Sequence, residues 1–228
     1  MRKILIVLIL VGLVAIALPM TAGALGLDVE AKAGAGIGLG STDNPDITGS
    51  PRLAVNGGGN VDFFLTSLGP GEFGLSVGGE YSHMTFHYTW ANLAGPGVDL
   101  VSDVTYGYVN IPVALVYKLP VSDSIKIVVR AGGFVGFFLG GFTDGTLVPG
   151  NISVGRATLD SSNTIMTAYG LHFTAGADIG LGGGLALAPA IQFDWGLSDV
   201  TKNTPAAGNF KDTLWALTAV VGIKYSVF

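Results

Sequence analysis

The sequence predicts an all-β protein, an eight-stranded antiparallel transmembrane up-and-down β-barrel that follows a cleaved signal peptide. Three observations predict this fold. Hydrophobic residues make up 49% of the 228 residues and charged residues only 12%, against about 25% charged in ordinary globular domains. Beyond the N-terminal segment, the apolar residues alternate with small or polar ones, which is typical of strands with one apolar face. Short and long connections also alternate along the chain.

Residues 1–24 have the features of a secretory signal peptide. Two basic residues precede the apolar run Ile4–Leu18, and the small residues Ala22 and Ala24 mark a cleavage site. We expect cleavage after Ala24, which leaves residues 25–228 as one outer-membrane barrel domain. Loss of the two basic residues changes the formal net charge from −5 to −7, which excludes a basic surface for nucleic acid.

The first four predicted strands each place apolar residues at every second position. Between these residues lie glycine, Ser, Asn, Asp, Glu or Lys, so that each strand has an apolar face and a small or polar face. The four segments are LGLDVEAKAGAGIGLG, RLAVNGGGNVDFFLT, FGLSVGGEYSH and YGYVNIPVALVYKL. Because Pro112 in the fourth segment cannot donate a hydrogen bond to a neighbouring strand, we expect a local break or bulge there.

The last four predicted strands repeat the pattern. The eighth alternates Trp215, Leu217 and further apolar residues with Ala216, Thr218 and Lys224, and we expect it to pair with the first strand and close the barrel. The four segments are IKIVVRAGGFVGFFLG, YGLHFTAGADIGL, LALAPAIQFDWGL and LWALTAVVGIKYSVF.

The connections between these strands differ in length. Three have the composition of tight turns, with the sequences SLGPGE, PVSDS and GGG. The other four are longer and rich in Asp, Asn, Thr, Gly and Pro, and we interpret them as loops; they cover residues 41–51, 91–103, 141–163 and 198–211. This alternation places all turns at one end of the barrel and all loops at the other.

The apolar face of a barrel can point inward or outward. A soluble, lipocalin-like barrel would point it inward, but the other face is too poor in charge and too rich in glycine for a surface in water. A closed barrel with an apolar exterior satisfies its backbone within a membrane, and short periplasmic turns with longer outer loops are typical of outer-membrane barrels. Aromatic residues near the strand ends fit an interfacial girdle, namely Phe63, Phe73, Tyr117, Phe137, Trp195 and Tyr225.

The interior of an eight-stranded barrel is about wide enough for side chains to fill it, so charges there should be paired. Counted from the strand starts, Glu80 and Arg130 fall near the middle, and we predict an interior ion-pair network of these two residues with Asp62, Asp178 or Asp194. A lower layer is expected to contain Glu30, Lys32, Lys118, Lys126 and Lys224.

Several stretches resemble the PorT-like outer-membrane β-barrel family (outer membrane protein beta-barrel domain). GLSVGGEYSHM resembles its third strand and YVNIPVALVYKL its fourth. VRAGGFVGFFLGG and YGLHFTAGADIGL are similar to its fifth and sixth strands, and IQFDWGLSDV to its seventh. The resemblance covers most of residues 26–228. It implies the fold and the outer-membrane location, and it implies no particular activity.

Our hypothesis is an integral outer-membrane protein with a structural or envelope-interaction role and a largely plugged lumen. One alternative is a narrow channel for small or apolar solutes. The other is a lipid-modifying enzyme in which His83 and Thr85 share the outward face. We expect no enzyme and no catalytic residues, because no carboxylate is evidently placed to orient His83, and no cofactor, because cofactor fingerprints are absent from the sequence. We expect no metal site, because His83 and His87 lie about 13 Å apart along a strand, too far for one zinc ion.

The expected partners follow from the location. Outer-membrane lipid would surround the barrel, and the barrel-assembly machinery would recognise the last strand, which ends at Phe228. The longest loop, Gly141–Asn163, is exposed by topology and is the candidate site for an extracellular ligand.

Overall fold

The computed structural model describes residues 26–92, 95–160, 164–200 and 211–227. The signal peptide predicted for residues 1–24 and the terminal Phe228 lie outside them. Within the described residues, no helix is long and apolar enough to span a membrane. The strands are β1 (Gly26–Thr42), β2 (Ile47–Ser50), β3 (Arg52–Leu68), β4 (Gly71–Trp90), β5 (Asp99–Pro120), β6 (Ile125–Val148), β7 (Ile152–Leu159), β8 (Thr167–Gly182), β9 (Leu185–Gly196) and β10 (Asp212–Ser226).

Eight of these strands form a closed antiparallel ring in the order β4-β3-β1-β10-β9-β8-β6-β5, and β5 pairs again with β4. The last strand closes the ring on the first over a register from Asp28 opposite Ser226 to Thr42 opposite Asp212. Closure gives each wall strand two neighbours, so its backbone groups are hydrogen-bonded without water. The predicted eight-stranded up-and-down barrel is confirmed.

The tight turns lie at one end of the barrel. Gly184, in the turn after β8, accepts a hydrogen bond from the backbone of Ser226 at the end of β10. Ser124, in the turn after β5, accepts one from Gly180. This end is periplasmic by the usual arrangement of outer-membrane barrels, in which the short turns face the periplasm.

The side chains alternate between the two faces of the wall, as the sequence predicts. The apolar residues face outward and are partly exposed; examples are Val29, Leu75, Val113, Leu115, Ile127, Val129, Ile191, Val221 and Ile223. The charged residues on the other face are buried; examples are Asp28, Glu30, Lys32, Lys118 and Lys224. Of the predicted aromatic girdle, Trp195 and Tyr225 are each 48% exposed, whereas Phe63 is only 5% exposed and is covered by its neighbours.

The outer end of the barrel is asymmetric. β5 and β6 contain 22 and 24 residues, whereas β9 contains 12. The extended parts of β4, β5 and β6, together with β2 and β7, form a sheet above the membrane-spanning part. The prediction of a loop over residues 141–163 is therefore wrong for most of this segment. Gly141–Leu147 of β6 pairs with Ile152–Leu159 of β7 in a hairpin, since its Thr, Val and Ile residues favour strands.

The expected irregularity at Pro112 is present as a break in pairing. The β4–β5 register runs to Val77 opposite Val113 and resumes at Glu80 opposite Asn110, without a shift. Across from the proline lies Gly78, where an added Cβ would approach the proline ring to 3.1 Å. Gly78 thus leaves space for the ring.

Candidate functional site in the barrel interior

Arg130 is the centre of a lower charge cluster inside the barrel. Its Nη2 lies 2.6 Å from Glu30 Oε2 and 2.7 Å from Asp62 Oδ2. The three side chains come from β6, β1 and β3 and are almost completely buried. Such charges are tolerated in a low-dielectric interior only when each has a close partner.

Lys224 connects this cluster to a further carboxylate. Its Nζ lies 2.8 Å from Asp178 Oδ1, and 3.7 and 3.8 Å from oxygens of Glu30 and Asp62. Arg130, Lys224, Glu30, Asp62 and Asp178 therefore form one group, which we call the lower charge cluster.

A separate ion pair lies near the periplasmic mouth. Lys118 Nζ is 2.8 Å from Asp28 Oδ2 and 3.3 Å from Glu72 Oε2. The ammonium group also lies 4.0 Å from the centre of the Phe64 ring, within cation–π distance.

An upper charge cluster lies further from the periplasm, and Gln192 is its centre. The Gln192 amide accepts a hydrogen bond from Lys32 Nζ at 3.0 Å. It donates to Glu80 Oε2 and Asp194 Oδ2, both at 2.8 Å. Lys32 and Glu80 also form a direct ion pair. Gln192 is 0% exposed, and its amide links carboxylates that would otherwise repel each other.

Asp194 extends the upper charge cluster to a histidine. Its Oδ1 lies 2.6 Å from His172 Nδ1, and His172 Nε2 lies 3.2 Å from the Thr174 hydroxyl. The order of groups is that of a nucleophile–histidine–carboxylate triad. His172 and Thr174 are each 3% exposed, so a substrate has no access, and the contacts fix the interior packing.

The five predicted network residues thus lie in two clusters. Asp62, Arg130 and Asp178 belong to the lower charge cluster, and Glu80 and Asp194 to the upper one. The expected direct pairing of Glu80 with Arg130 is wrong. Of the expected lower layer, Lys32 pairs with Glu80, and Glu30 contacts Arg130.

The offset between neighbouring strands of the barrel explains why the expected pairing of Glu80 with Arg130 is wrong. In the wall, Arg130 lies opposite Val116, which lies opposite Gly74 on β4. Glu80 is six residues further along that strand, a separation of about 20 Å at the usual rise per residue. Counting from the strand starts ignores the offset between neighbouring strands that a closed barrel requires.

An upper aromatic cluster fills the lumen toward the outer end, and the sequence analysis missed it. Phe86, Tyr106, Tyr108 and Phe138 contact one another with ring-centre distances from 5.5 to 6.3 Å. The signal was available in the sequence YGY, where Tyr106 and Tyr108 occupy the inward phase of β5. Phe86 is 0% exposed.

Only a small cavity separates the upper charge cluster from the upper aromatic cluster. Its volume is about 30 Å³, and Asn110, Asp194 and Tyr108 are among its lining residues. A cavity of this size holds about one water molecule. The described interior is therefore filled at this level.

The outward-facing residues that were considered as catalytic or metal-binding groups each contact another side chain. Thr85 Oγ1 lies 3.1 Å from Thr105 Oγ1, and His83 Nδ1 lies 3.4 Å from the Tyr81 hydroxyl. His87 lies 2.8 Å from Asp103. Among the described residues, no group of three or more His, Asp or Glu side chains is arranged to hold a metal ion.

Solved structures with a similar fold are outer-membrane barrels. OprG from Pseudomonas aeruginosa matches with a TM-score of 0.54 and 13% identity over 89% of this chain and 96% of that chain. Neisserial surface protein A matches with a TM-score of 0.46 and 11% identity over 87% of this chain and 96% of that chain. Ail of Yersinia pestis, solved with the heparin analogue sucrose octasulfate, matches with a TM-score of 0.38 and 9% identity over 88% of this chain and 99% of that chain.

A search of curated proteins finds no match to this chain. The family model described as "Outer membrane protein beta-barrel domain" matches residues 22–202, which is most of the chain. This match agrees with the closed ring, the apolar exterior and the buried charges. The protein belongs to the outer membrane protein beta-barrel domain family, and it is an outer-membrane β-barrel protein.

Proposed function

We propose that the protein has a structural or envelope-interaction role in the outer membrane and that its lumen is closed to solutes. The observation that carries the proposal is the close packing of the described interior above its periplasmic end, where a cavity of about 260 Å³ is lined by Lys118 and Asp178 among others. The lower and upper charge clusters are succeeded toward the outer end by the upper aromatic cluster, and Gln192 and Phe86 are each 0% exposed. A path for ions would require water between these side chains.

Single-channel recording tests this proposal. Residues 25–228 are refolded into planar bilayers beside the variant Phe86→Ala/Tyr106→Ala, which removes two rings of the upper aromatic cluster, and beside Arg130→Ala. We expect a silent wild type in protein whose folding is verified by its heat-dependent migration on gels. Discrete openings of the wild type that change in Arg130→Ala would instead support the narrow channel for small or apolar solutes.

The outer hairpin formed by Gly141–Val148 and β7 is the proposed interaction element. It contains most of the segment 141–163 expected to bind an extracellular ligand. Among the described strands, β7 pairs with β6 alone, and its residues Ile152 and Val154 are 61% and 55% exposed. A strand edge of this kind can accept an extended segment of another chain.

Site-specific photo-crosslinking tests the hairpin. A photoreactive residue at Val154 is compared in living cells with one at Val121, an exposed position in the periplasmic turn after β5. A discrete crosslinked product that forms at Val154 and is absent at Val121 would support the proposal. Equal labelling from both positions would oppose it.

We also propose that the protein is not an enzyme. The hydroxyl of Thr85 contacts Thr105, whereas a nucleophile would be expected to contact the histidine that activates it. The lipid-modifying alternative predicts that expression alters the mass spectrum of lipid A and that His83→Ala abolishes the change. We expect identical spectra with and without the protein.

The remaining expectations about maturation and family stay proposals. We propose that the protein is a PorT-like member of the family and that its signal peptide is cleaved after Ala24. We also propose that the barrel-assembly machinery recognises it through the strand that ends at Phe228. N-terminal sequencing of the membrane form tests the cleavage site. Deletion of Phe228 tests the assembly signal, with a reduced yield of folded barrel expected.

A further inference from the structure

A β-bulge interrupts the outer face of the wall between β5 and β6. Gly107 lies opposite Gly140, but the next residue of β5, Tyr108, lies opposite Phe138. Leu139 is therefore the extra residue on β6, and it is 50% exposed. The bulge and its glycines replace side chains with bare backbone on a surface that elsewhere carries apolar side chains.

This bare backbone forms the floor of an outward-facing groove of about 280 Å³. A Cβ added at Gly140 would meet nothing within 4 Å, and one at Gly107 would lie 3.3 Å from the Tyr81 hydroxyl. The groove is lined by Tyr81, His83, Thr105, Gly107, Leu139, Gly140, Gly141 and Phe142. One side of it is thus apolar, and the other presents an imidazole and hydroxyl groups.

The groove lies at the outer boundary of the hydrocarbon region. A membrane-spanning strand needs about 9–11 residues. Counted from the periplasmic end, eleven residues cover Phe73–His83 on β4 and Gly107–Tyr117 on β5. His83 and Gly107 consequently lie at the level where acyl chains meet headgroups in the outer leaflet.

The hydrogen bond between Tyr81 and His83 prepares one ring nitrogen for a ligand. The Tyr81 hydroxyl lies 3.4 Å from Nδ1 of His83. When this hydroxyl donates, the neutral imidazole carries its proton on Nε2, which becomes a hydrogen-bond donor. Above it on the same side of the barrel, the Arg52 guanidinium contacts His87 at 3.0 Å, and Asp103 Oδ1 lies 3.6 Å from Arg52 and 2.8 Å from His87, so that this group carries its own counter-charge.

We propose that this groove binds one outer-leaflet lipid with a phosphorylated headgroup. One acyl chain lies over Gly107 and Gly140 against Leu139, and a headgroup phosphate accepts a hydrogen bond from Nε2 of His83. The lipid is the occupant because the groove opens on the apolar wall at membrane depth, and the headgroup phosphate complements the hydrogen-bond donor at Nε2 of His83.

Native mass spectrometry of the refolded 25–228 barrel tests the proposal. The protein is mixed in detergent with diphosphorylated lipid A or with the same lipid after phosphate removal, and the retained lipid is counted. The variants are His83→Leu, which removes the donor, and His83→Gln, which keeps one. Tyr169→Leu is the matched control, since Tyr169 is exposed on the outer face of β8. We expect one retained lipid A and about a tenfold preference for the phosphorylated form.

His83→Leu should retain the phosphorylated and the dephosphorylated lipid about equally. Tyr169→Leu should keep the wild-type preference for the phosphorylated lipid, and His83→Gln should keep part of it. An equal preference in the wild type and His83→Leu would overturn the proposal, as would a wild type that retains both lipids equally. Displacement of the lipid by inorganic phosphate at equal concentration would also overturn it, because the acyl contacts would then contribute nothing. Each variant is compared after its folding is verified by heat-dependent gel migration.

Discussion

Arg130 and Asp62 form a two-point contact inside the barrel. Nε of Arg130 lies 3.1 Å from Asp62 Oδ1, and Nη2 lies 2.7 Å from Oδ2. Asn60 also donates to Oδ1 at 3.2 Å, so that Asp62, which is 0% exposed, has partners at both oxygens. This parallel geometry is the strongest form of carboxylate pairing.

Removal of Arg130 should destabilise the barrel strongly. Arg130→Met keeps much of the side-chain volume but leaves the carboxylates of Asp62 and Glu30 buried without the guanidinium. Breaking such a pair costs about 3–5 kcal/mol. Urea unfolding in detergent micelles, followed by tryptophan fluorescence, measures the loss.

Arg156→Met is the control for this substitution. Arg156 pairs with Asp144 in the exposed outer hairpin, where water and salt screen the interaction. The unfolding midpoint should therefore remain at the wild-type value. Equal losses for the two arginine variants would contradict the importance of burial.

Two neighbouring glycines in β3 should respond differently to the same added methyl group. A Cβ at Gly58 would lie 2.7 Å from the Glu80 Cα and close to the backbone of Gly79, whereas one at Gly57 would have its nearest contact at 3.8 Å. Gly58→Ala should cost about 1–3 kcal/mol through overpacking. Gly57→Ala should be neutral or slightly stabilising. Parallel urea titrations measure both, and a similar cost at both positions would refute the close approach of β4 to Gly58.

Truncation of Phe86 should destabilise the outer half of the barrel. Phe86→Ala removes a fully buried ring that packs 5.9 Å from Tyr106, and such truncations cost about 3–5 kcal/mol. Hydrogen exchange should increase most for the amides of the extended parts of β4 and β5. Uniform exchange along both strands would argue against a separately packed outer layer.

The outer hairpin should show a pH dependence below the usual range of aspartate. Hydrogen bonds from Arg156 lower the pKa of Asp144 below its ordinary value of 3.8. Because the folded-state pKa is the lower one, the stabilising contribution is complete above pH 3.8 and is lost as the pH falls through the folded-state pKa. Carbon-13 NMR titration of the Asp144 carboxyl group measures this value. Arg156→Gln should return the pKa toward 3.8, and an unchanged pKa would exclude the hydrogen bonds as its cause.

The sequence predicted the wall of the barrel well because alternation is a local property. The residues between Val29 and Ile37 alternate in type, and the structure places the apolar ones outward. Glycine, proline and polar clusters identified the turns for the same reason. The alternation pattern did not indicate a strand where β6 continues into a polar segment, as in Gly141–Leu147, since a strand outside the membrane needs no apolar face.

The interior could be predicted only in part. The phase of each strand indicated that Glu80 and Arg130 face the lumen, and both do. Their partners depend on the offset between strands on different sides of the ring, and this offset is set by closure of the whole barrel rather than by any one strand. Gln192 carries no charge and therefore gave no signal, although it connects Lys32, Glu80 and Asp194.

By itself, the sequence determined which face of each strand meets lipid, because a period of two residues assigns every side chain to one side of a sheet. Only the tertiary structure decided which charges meet inside, that Arg130 pairs with Asp62 and Glu80 with Lys32, and that an aromatic cluster forms toward the outer end. Those contacts join residues far apart in the chain. They exist only after the ring has closed and the stagger of its strands has fixed the depth of each side chain.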